Sequence, residues 1–580
     1  MDSFSALKKN LKKDFAGLPV LRIAVLADSA SQLFVQAFRG AGYNLGINFL
    51  IFESDYNQIQ LQILDPHSDL YAFHPDYTIV FQSTQKLRKK FYELSYSEKT
   101  SFSTDQLRAI VQLTDHLHAS SKSRVIYFNF PEVTDNIYGN FANKLAGSFI
   151  YQLRSINLGL MNLAITNPQL YINDLSALHN QFGYSFVHDE KVYINTDILF
   201  SIDFLPIIAR NTAKIIQSIQ GTFIKCVILD LDNTLWGGTI GDDGVESIQI
   251  GDLGGGKAFT EFQHWLKQLK NRGIILAVCS KNTEAIAKAP FENHPDMVLR
   301  LTDIAVFIAN WETKVDNIRH IQSILNIGFD SMVFLDDNPF ERDMVRTHLP
   351  EITVPELPED PAEYLQCLQV LNLFETASFT EEDTTRTKQY QTEARRAELQ
   401  KTFSDENDFL QSLKMNALVQ PFTRFNCPRV TQLSQRSNQF NLRTTRYTED
   451  MIKTLSESGE YYTLAFSLAD KYGDNGLIAL AILEKQDTET LFIETWLMSC
   501  RVLKRGMENF MLNTIVELAC KNGFKCLKGE YLPTLKNALV KNHYENLGFN
   551  ALEGHWLMDA NSYQARPTFI EHITETNVPN

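Results

Sequence analysis

Seven cysteines are scattered over 580 residues with no paired C-x-x-C spacing and no short-range framework. A disulfide scaffold is therefore excluded, and reduced thiols in a cytoplasmic setting are the expectation. No apolar run reaches the roughly 18 residues that a membrane helix needs, so no membrane association is expected. Lys8, Lys9, Lys12 and Lys13 stand near the start, but no apolar run of signal-peptide length follows them. They read as a solvated helix face. Positive charge is in deficit: 54 Lys and Arg face 69 Asp and Glu, a net charge of −15. That balance argues against nucleic acid or anionic membranes as partners. Internal repeats and low-complexity tracts are absent too.

A hydrophobic content of 44% and an aromatic content of 11% are ample for packed cores. The length implies about three or four domains, and four segments can be separated. Residues 1–219 alternate strand-like runs (Leu21–Leu26, Asn48–Phe52, Tyr77–Phe81, Arg124–Phe128) with helical stretches, which predicts a parallel sheet covered on both faces. Residues 222–375 repeat the pattern, with strands at Cys226–Asp230, Ile274–Cys279, Met297–Arg300 and Met332–Leu335. Their helices are Ala258–Asn271, Thr283–Ala289 and Lys314–Leu325. Residues 376–412 are polar, strong in helix formers, and read as a connecting helix. Residues 413–580 mix strands (Tyr461–Leu468, Gly476–Leu483, Thr490–Trp496) with helices (Gly506–Asn522, Leu535–Leu547), an α+β module.

The most informative stretch is Val227–Trp236, an apolar run that ends in Asp230-Leu231-Asp232-Asn233-Thr234. Such a strand places both carboxylates at the carboxyl edge of a parallel sheet, where open α/β sheets bind ligands. Two carboxylates there repel each other unless a cation intervenes, and hard oxygen ligands favour Mg²⁺. Further groups fall at strand ends or helix starts: Ser280-Lys281-Asn282, Lys314 and Asp336-Asp337-Asn338. Together they suit Mg²⁺ and a phosphoryl group.

This constellation resembles the four motifs of the haloacid dehalogenase (HAD) superfamily of phosphotransferases. The resemblance implies Asp230 as the nucleophile and Asp232 as the general acid/base, with the Asp232 backbone carbonyl on the metal. It also implies Ser280 and Lys314 on phosphate, and Asp336 on Mg²⁺ with Asp337 in support. Only a Gly-rich acidic loop, Gly237–Gly256, stands where that superfamily carries a cap. An open, capless site is expected, able to admit a large substrate.

Cys279 sits beside Ser280 at the same mouth, and a thiolate is a good acyl acceptor. The alternative is a small hydrophobe at a strand end. The stretches Leu229–Gly241, Cys279–Asn282, Phe334–Arg342, Asn438–Leu442, Gly473–Leu477 and Met498–Leu503 resemble the FkbH-like family, HAD subfamily IIIC. That resemblance implies release of phosphate from 1,3-bisphosphoglycerate and passage of the glyceryl group to an acyl carrier protein, with Cys279 carrying it as a thioester. Whether Asp230 or Cys279 makes the first covalent bond stays open.

Residues 413–580 resemble a GNAT acyltransferase, whose acyl-CoA loop aligns with Arg501, Val502, Leu503, Lys504, Arg505 and Gly506. The resemblance implies a phosphopantetheine arm, on CoA or a carrier protein, bound by Arg501, Lys504, Arg505 and Gly506. Ala27-Asp28-Ser29 resembles the nucleophile turn of SGNH hydrolases. Phe200 stands where that family's activating His belongs, so Ser29 lacks a base and the domain is expected to be non-hydrolytic. The other His residues nearby, His179 and His188, are off-motif.

The whole reads as an α/β multidomain enzyme: an SGNH-like domain, a HAD-like Rossmannoid sheet without a large cap, and a GNAT-like domain. The leading expectation is Mg²⁺-dependent removal of phosphate from a three-carbon acyl phosphate coupled to acyl transfer. A phosphatase acting on a sugar phosphate or a phosphorylated carrier is the alternative, and a non-catalytic assembly protein is a third.

Overall fold

The computed structural model describes residues 2–534 and 536–573, with the side chain of Glu398 left out. Leu535, at which the expected helix Leu535–Leu547 begins, and residues 574–580 lie outside the described residues. The chain divides into two compact units, Met1–Gln217 and Ser218–Asn580.

The first unit is built on five parallel strands: β1 (Val20–Ala27), β2 (Asn48–Glu53), β3 (Tyr77–Phe81), β4 (Arg124–Phe128) and β5 (Leu170–Asn173). Their order is β2-β1-β3-β4-β5. β3 is buried along its whole length, as is the second half of β1. That is why both read as unbroken apolar runs rather than alternating ones. The four lysines near the start are exposed, Lys8 and Lys9 on the helix Phe4–Asn10 and Lys12 and Lys13 just past it, while Leu7 of that helix is buried. This helix lies so close to the helix Gln32–Asn44 that a Cβ on Gly40 would stand 2.2 Å from the Leu7 carbonyl oxygen.

The second unit holds two sheets. The first has β6 (Cys226–Leu229), β7 (Ile275–Ser280), β8 (Ile304–Ala309) and β9 (Met332–Leu335), all parallel, in the order β8-β7-β6-β9. The expected strand Met297–Arg300 does not form. The side-chain oxygen of Gln263 accepts the backbone N–H groups of Val298 and Leu299, at 3.1 and 3.0 Å, so this segment spends its donors on a helix instead of a ladder. The fourth strand is Ile304–Ala309, which pairs with β7.

The second sheet has eight strands: β10 (Met415–Gln420), β11 (Tyr461–Asp470), β12 (Gly473–Lys485), β13 (Thr490–Met498), β14 (Cys526–Gly529), β15 (Asn550–Leu552), β16 (His555–Asp559) and β17 (Ile570–Ile573). Only the β10–β17 and β13–β14 pairs are parallel. The helix Met507–Lys521 packs into its core through Phe510, Met511 and Ile515. In place of a continuous helix beyond Leu535 there are a short 3₁₀ turn, Ala538–Val540, and one helical turn, His543–Asn546.

Residues 376–412 are not the solvated connector that their polarity suggests. The helix Arg386–Gln400 buries Tyr390 in the core beneath the first sheet. Its Gln391 amide donates to the Ile304 carbonyl at 2.8 Å, and its Arg396 guanidinium pairs with Asp470 of β11 at 2.7 Å. Polar side chains find partners on both sides, so the helix is a wedge between the two sheets.

The Gly40 contact sets a test. In Gly40→Ala the methyl group meets backbone, which cannot rotate away. Overpacking of this kind costs about 1–3 kcal/mol. Denaturant unfolding of the first unit should show the loss, with secondary structure otherwise retained.

Candidate functional site

The site forms because the first sheet of the second unit is parallel, so β6, β7 and β9 all end at one edge. Asp230 follows β6, Ser280 ends β7 and Asp336 follows β9. Lys314 opens the helix Lys314–Leu325, whose N-cap Thr313 accepts from the Asp316 N–H. All four of these residues are buried.

The Lys314 ammonium is shared by two carboxylates, at 2.9 Å from Asp230 Oδ1 and 2.5 Å from Asp336 Oδ2. Burial alone would lower its pKa, but Asp230 and Asp336 outweigh that and hold it above the ordinary lysine value. Asp337 completes the acidic group: one oxygen each of Asp230, Asp336 and Asp337 lie within 4.8 Å of one another. Three hard donors at that spacing fit Mg²⁺. Asp336 is pushed up to about 7, by burial first and then by the negative charge of Asp230.

Asp232 points elsewhere. Its Oδ1 accepts from the Trp236 indole at 2.9 Å and from the Ile240 N–H at 3.0 Å. Burial raises its pKa above the ordinary carboxylate value. Its side chain is thus not part of the acidic group that could hold a cation. The same two bonds close the Gly237–Gly256 loop over the strand end, together with paired Gly237 and Gln249 backbones. The loop holds only one short helix, Ile240–Asp243, and no separate lid.

Cys279 has a different setting from the one expected. It is fully buried in the apolar cluster beneath the sheet with Ile228, Ile275 and Val315. Burial pushes its thiol far up, well away from a reactive thiolate. Its Sγ donates to the Lys314 carbonyl at 3.8 Å.

Two residues to which sequence reasoning gave no role, Arg342 and Thr234, shape this edge, together with Lys281 and Asn282 beside Ser280. Arg342 Nη1 donates to the Asp336 and Asp337 carbonyls at 2.8 and 2.7 Å, which fixes the acidic turn. Thr234 Oγ1 accepts from the Asp337 N–H at 3.2 Å. Asn282 Nδ2 reaches Asp232 Oδ2 at 3.4 Å, and Lys281 pairs with Glu341 at 2.5 Å. Their one sequence signal is position, each within a few residues of a strand-end carboxylate or hydroxyl.

The other expected sites lie elsewhere. Arg501 and Arg505 are buried and already engaged by the wedge helix: Arg501 donates to Gln389, and Arg505 pairs with Glu393 and Asp470. Lys504 is exposed and holds a left-handed φ of 62°, a conformation that favours glycine. Gly506, with φ 74°, caps the helix Met507–Lys521. In the first unit Ser29 is buried, and its Oγ has no hydrogen-bond partner. Asp28 accepts from the Ser83 N–H at 2.9 Å rather than serving a base. Phe200 is buried against the His188 ring, whose Nδ1 lies 2.7 Å from the Leu199 carbonyl oxygen. Among the described residues no helix is long and apolar enough to cross a membrane.

Two outcomes follow from the shared ammonium. Lys314→Met leaves Asp230 and Asp336 as buried, unneutralised carboxylates, a loss of about 3–5 kcal/mol. Its melting temperature in EDTA should fall by several degrees, and added Mg²⁺ should recover part of the loss. The second outcome is pH dependence. An unfolded Asp titrates near ~3.9, so the folded chain holds an extra proton on Asp336 between about 4 and about 7. Stability from that proton fades as pH rises through this window. Metal-free protein should therefore lose stability from pH 5 to pH 7, and Asp336→Asn should flatten the slope in thermal melts.

Residues 22–217 match the family model described as FkbH, N-terminal domain. No curated protein matches the chain. Among solved structures, the ribosomal-protein-S18-alanine N-acetyltransferase from Escherichia coli is 17% identical, with a TM-score of 0.20 over 24% of this chain and 91% of that one. A putative acetyltransferase of the GNAT family from Desulfovibrio desulfuricans is 13% identical, with a TM-score of 0.21 over 25% of this chain and 99% of that one. Scores this low carry no argument. The N-terminal part of the protein BF1531 from Bacteroides fragilis, which contains a phosphatase domain and was solved in complex with Mg, is of another order. It is 54% identical, with a TM-score of 0.64, over 65% of this chain and 100% of that one. At that identity over the whole of the other chain, this protein belongs to the family of BF1531.

Proposed function

We propose that this chain is a Mg²⁺-dependent phosphatase of the HAD type, with Asp230 as its nucleophile. The observation that supports this most is the Lys314 ammonium held between Asp230 and Asp336, with Asp337 beside them, at the carboxyl edge of the sheet. The Mg complex of BF1531, whose solved part contains a phosphatase domain, supports the same reading. Asp230, Asp336 and Asp337 would hold Mg²⁺, which would offset charge on the phosphoryl oxygens.

In this reading Ser280 and Lys314 hold the phosphoryl group in line with Asp230. An Asp230 oxygen forms a bond to phosphorus as the bond to the leaving oxygen breaks. Asp232, whose proton affinity burial raises, gives a proton to that oxygen in this reading. It then takes a proton from water, whose oxygen displaces phosphate from Asp230. Each carboxylate thus has one task, set by where its side chain points.

The finer reading is a three-carbon acyl phosphate as substrate; delivery of its glyceryl group to an acyl carrier protein would need a thiol to attack the acyl carbon with phosphate as the leaving group, in place of phosphoryl transfer to Asp230. Support for it is the FkbH-like sequence resemblance and the open mouth, which lacks a lid and is bordered by the exposed Trp311 and Phe340 just past β8 and β9. The setting of Cys279 speaks against a thioester there, since a buried neutral thiol in an apolar cluster is a poor nucleophile.

Steady-state phosphate release from an acyl phosphate tests the assignment. Asp230→Asn should lose at least about 10³-fold in kcat, and Asp232→Asn about 10²–10⁴-fold. Cys279→Ser should stay within a few-fold of the parent. Parent-like turnover by Asp230→Asn would refute the nucleophile, whereas a collapse in Cys279→Ser would restore the acyl-thiol route.

A further inference from the structure

A cleft enclosing about 650 Å³, its open mouth included, lies between the N-terminal end of β6, the wedge helix and the eight-stranded sheet. Its walls include Lys225, Arg386, Arg429, Arg436 and Arg501. Two carboxylates answer these five cations. Asp383 pairs with Arg386 at 2.8 Å and Arg436 at 2.6 Å, and Glu382 pairs with Arg429 at 2.8 Å. Arg501 donates to the neutral Gln389, and Lys225 donates to the Arg436 carbonyl at 3.3 Å. Asp330, which also faces Lys225, is taken up by Lys536. The walls therefore carry an excess of three positive charges.

Such an excess is costly to bury without a counter-anion. Burial, and then the neighbouring cations, push Arg436 down to about 9 and Arg429 down to about 10. Arg436 Nε is buried without a hydrogen-bond partner. Guanidinium groups present paired donors that match phosphate oxygens. Phe440 and Met498 add apolar wall. It is separate from the phosphatase centre: Lys225 precedes β6 and Asp230 follows it, about 16 Å apart at strand rise.

We propose that this cleft is a second anion site, for a small molecule bearing a phosphate or diphosphate group. It gives a role to Asn438-Gln439-Phe440 and Met498-Ser499-Cys500-Arg501, stretches that the phosphatase chemistry does not use.

Cys500 lines the cleft and Cys520 is exposed elsewhere, so thiol labelling reports occupancy in place. The full chain in EDTA is treated with N-ethylmaleimide, with and without millimolar inorganic pyrophosphate, and its peptides are weighed. Pyrophosphate should slow labelling of Cys500 about tenfold or more and leave Cys520 unchanged. Arg429→Met, whose partner Glu382 is half-exposed, should retain the parent's melting temperature and lose the protection. If that variant unfolds, Arg501→Gln should show the same loss. Protection by adenosine diphosphate at lower concentration than by pyrophosphate assigns an organic diphosphate, and the reverse order assigns the inorganic anion. Equal labelling of Cys500 with and without either probe would overturn the site. So would protection that survives in Arg429→Met and disappears in Ser280→Ala.

Discussion

The ammonium of Lys314 is the contact on which the acidic site rests. Asp230 and Asp336, both buried, and the half-buried Asp337 cannot all be charged at one sheet edge without a cation among them. Lys314 supplies one fixed charge to two of the three. The residual negative charge is what a divalent ion would answer. The surrounding architecture serves this arrangement. A parallel sheet brings the strand ends together, Thr313 starts the helix that carries Lys314, and Arg342 pins the turn that carries Asp336 and Asp337.

The second consequence is a division of labour between the two residues of Asp-x-Asp. Asp230 faces the cation cluster, while Asp232 is turned by Trp236 and Ile240 toward the mouth. Residues two apart share a face of an extended strand, but β6 ends at Leu229, and beyond it the bonds from Trp236 and Ile240 turn Asp232 away from Asp230. Cys279 and Ser280 are neighbours on β7, so their side chains face opposite sides. Ser280 stands at the site and Cys279 lies in the core below it.

Much of this was legible in the chain, for physical reasons. β3, β4 and β9 match the sequence reading because unbroken apolar runs bounded by polar turns leave little choice. The candidate site was legible because its residues sit at strand ends and helix starts. Met297–Arg300 and Ile304–Ala309 are both apolar, and only the Gln263 side chain, more than thirty residues away, decides which becomes the strand. The wedge helix reads as a mere connector in the sequence because partners of Gln391, Glu393 and Arg396 lie far along the chain. The direction of the Cys279 side chain is likewise a matter of register, which composition does not reveal. Asn438 and Arg501 drew attention as motif residues, but their setting in a basic cleft depends on four separate segments meeting.

The central claim is that Asp230, and not Cys279, forms the covalent bond to substrate. The most direct measurement is peptide mass spectrometry of the full chain, acid-quenched during turnover of an acyl phosphate with Mg²⁺. The account predicts one phosphoryl group on the peptide that carries Asp230 and an unmodified peptide carrying Cys279. An acyl group on Cys279 with no phosphoryl group on Asp230 would contradict it.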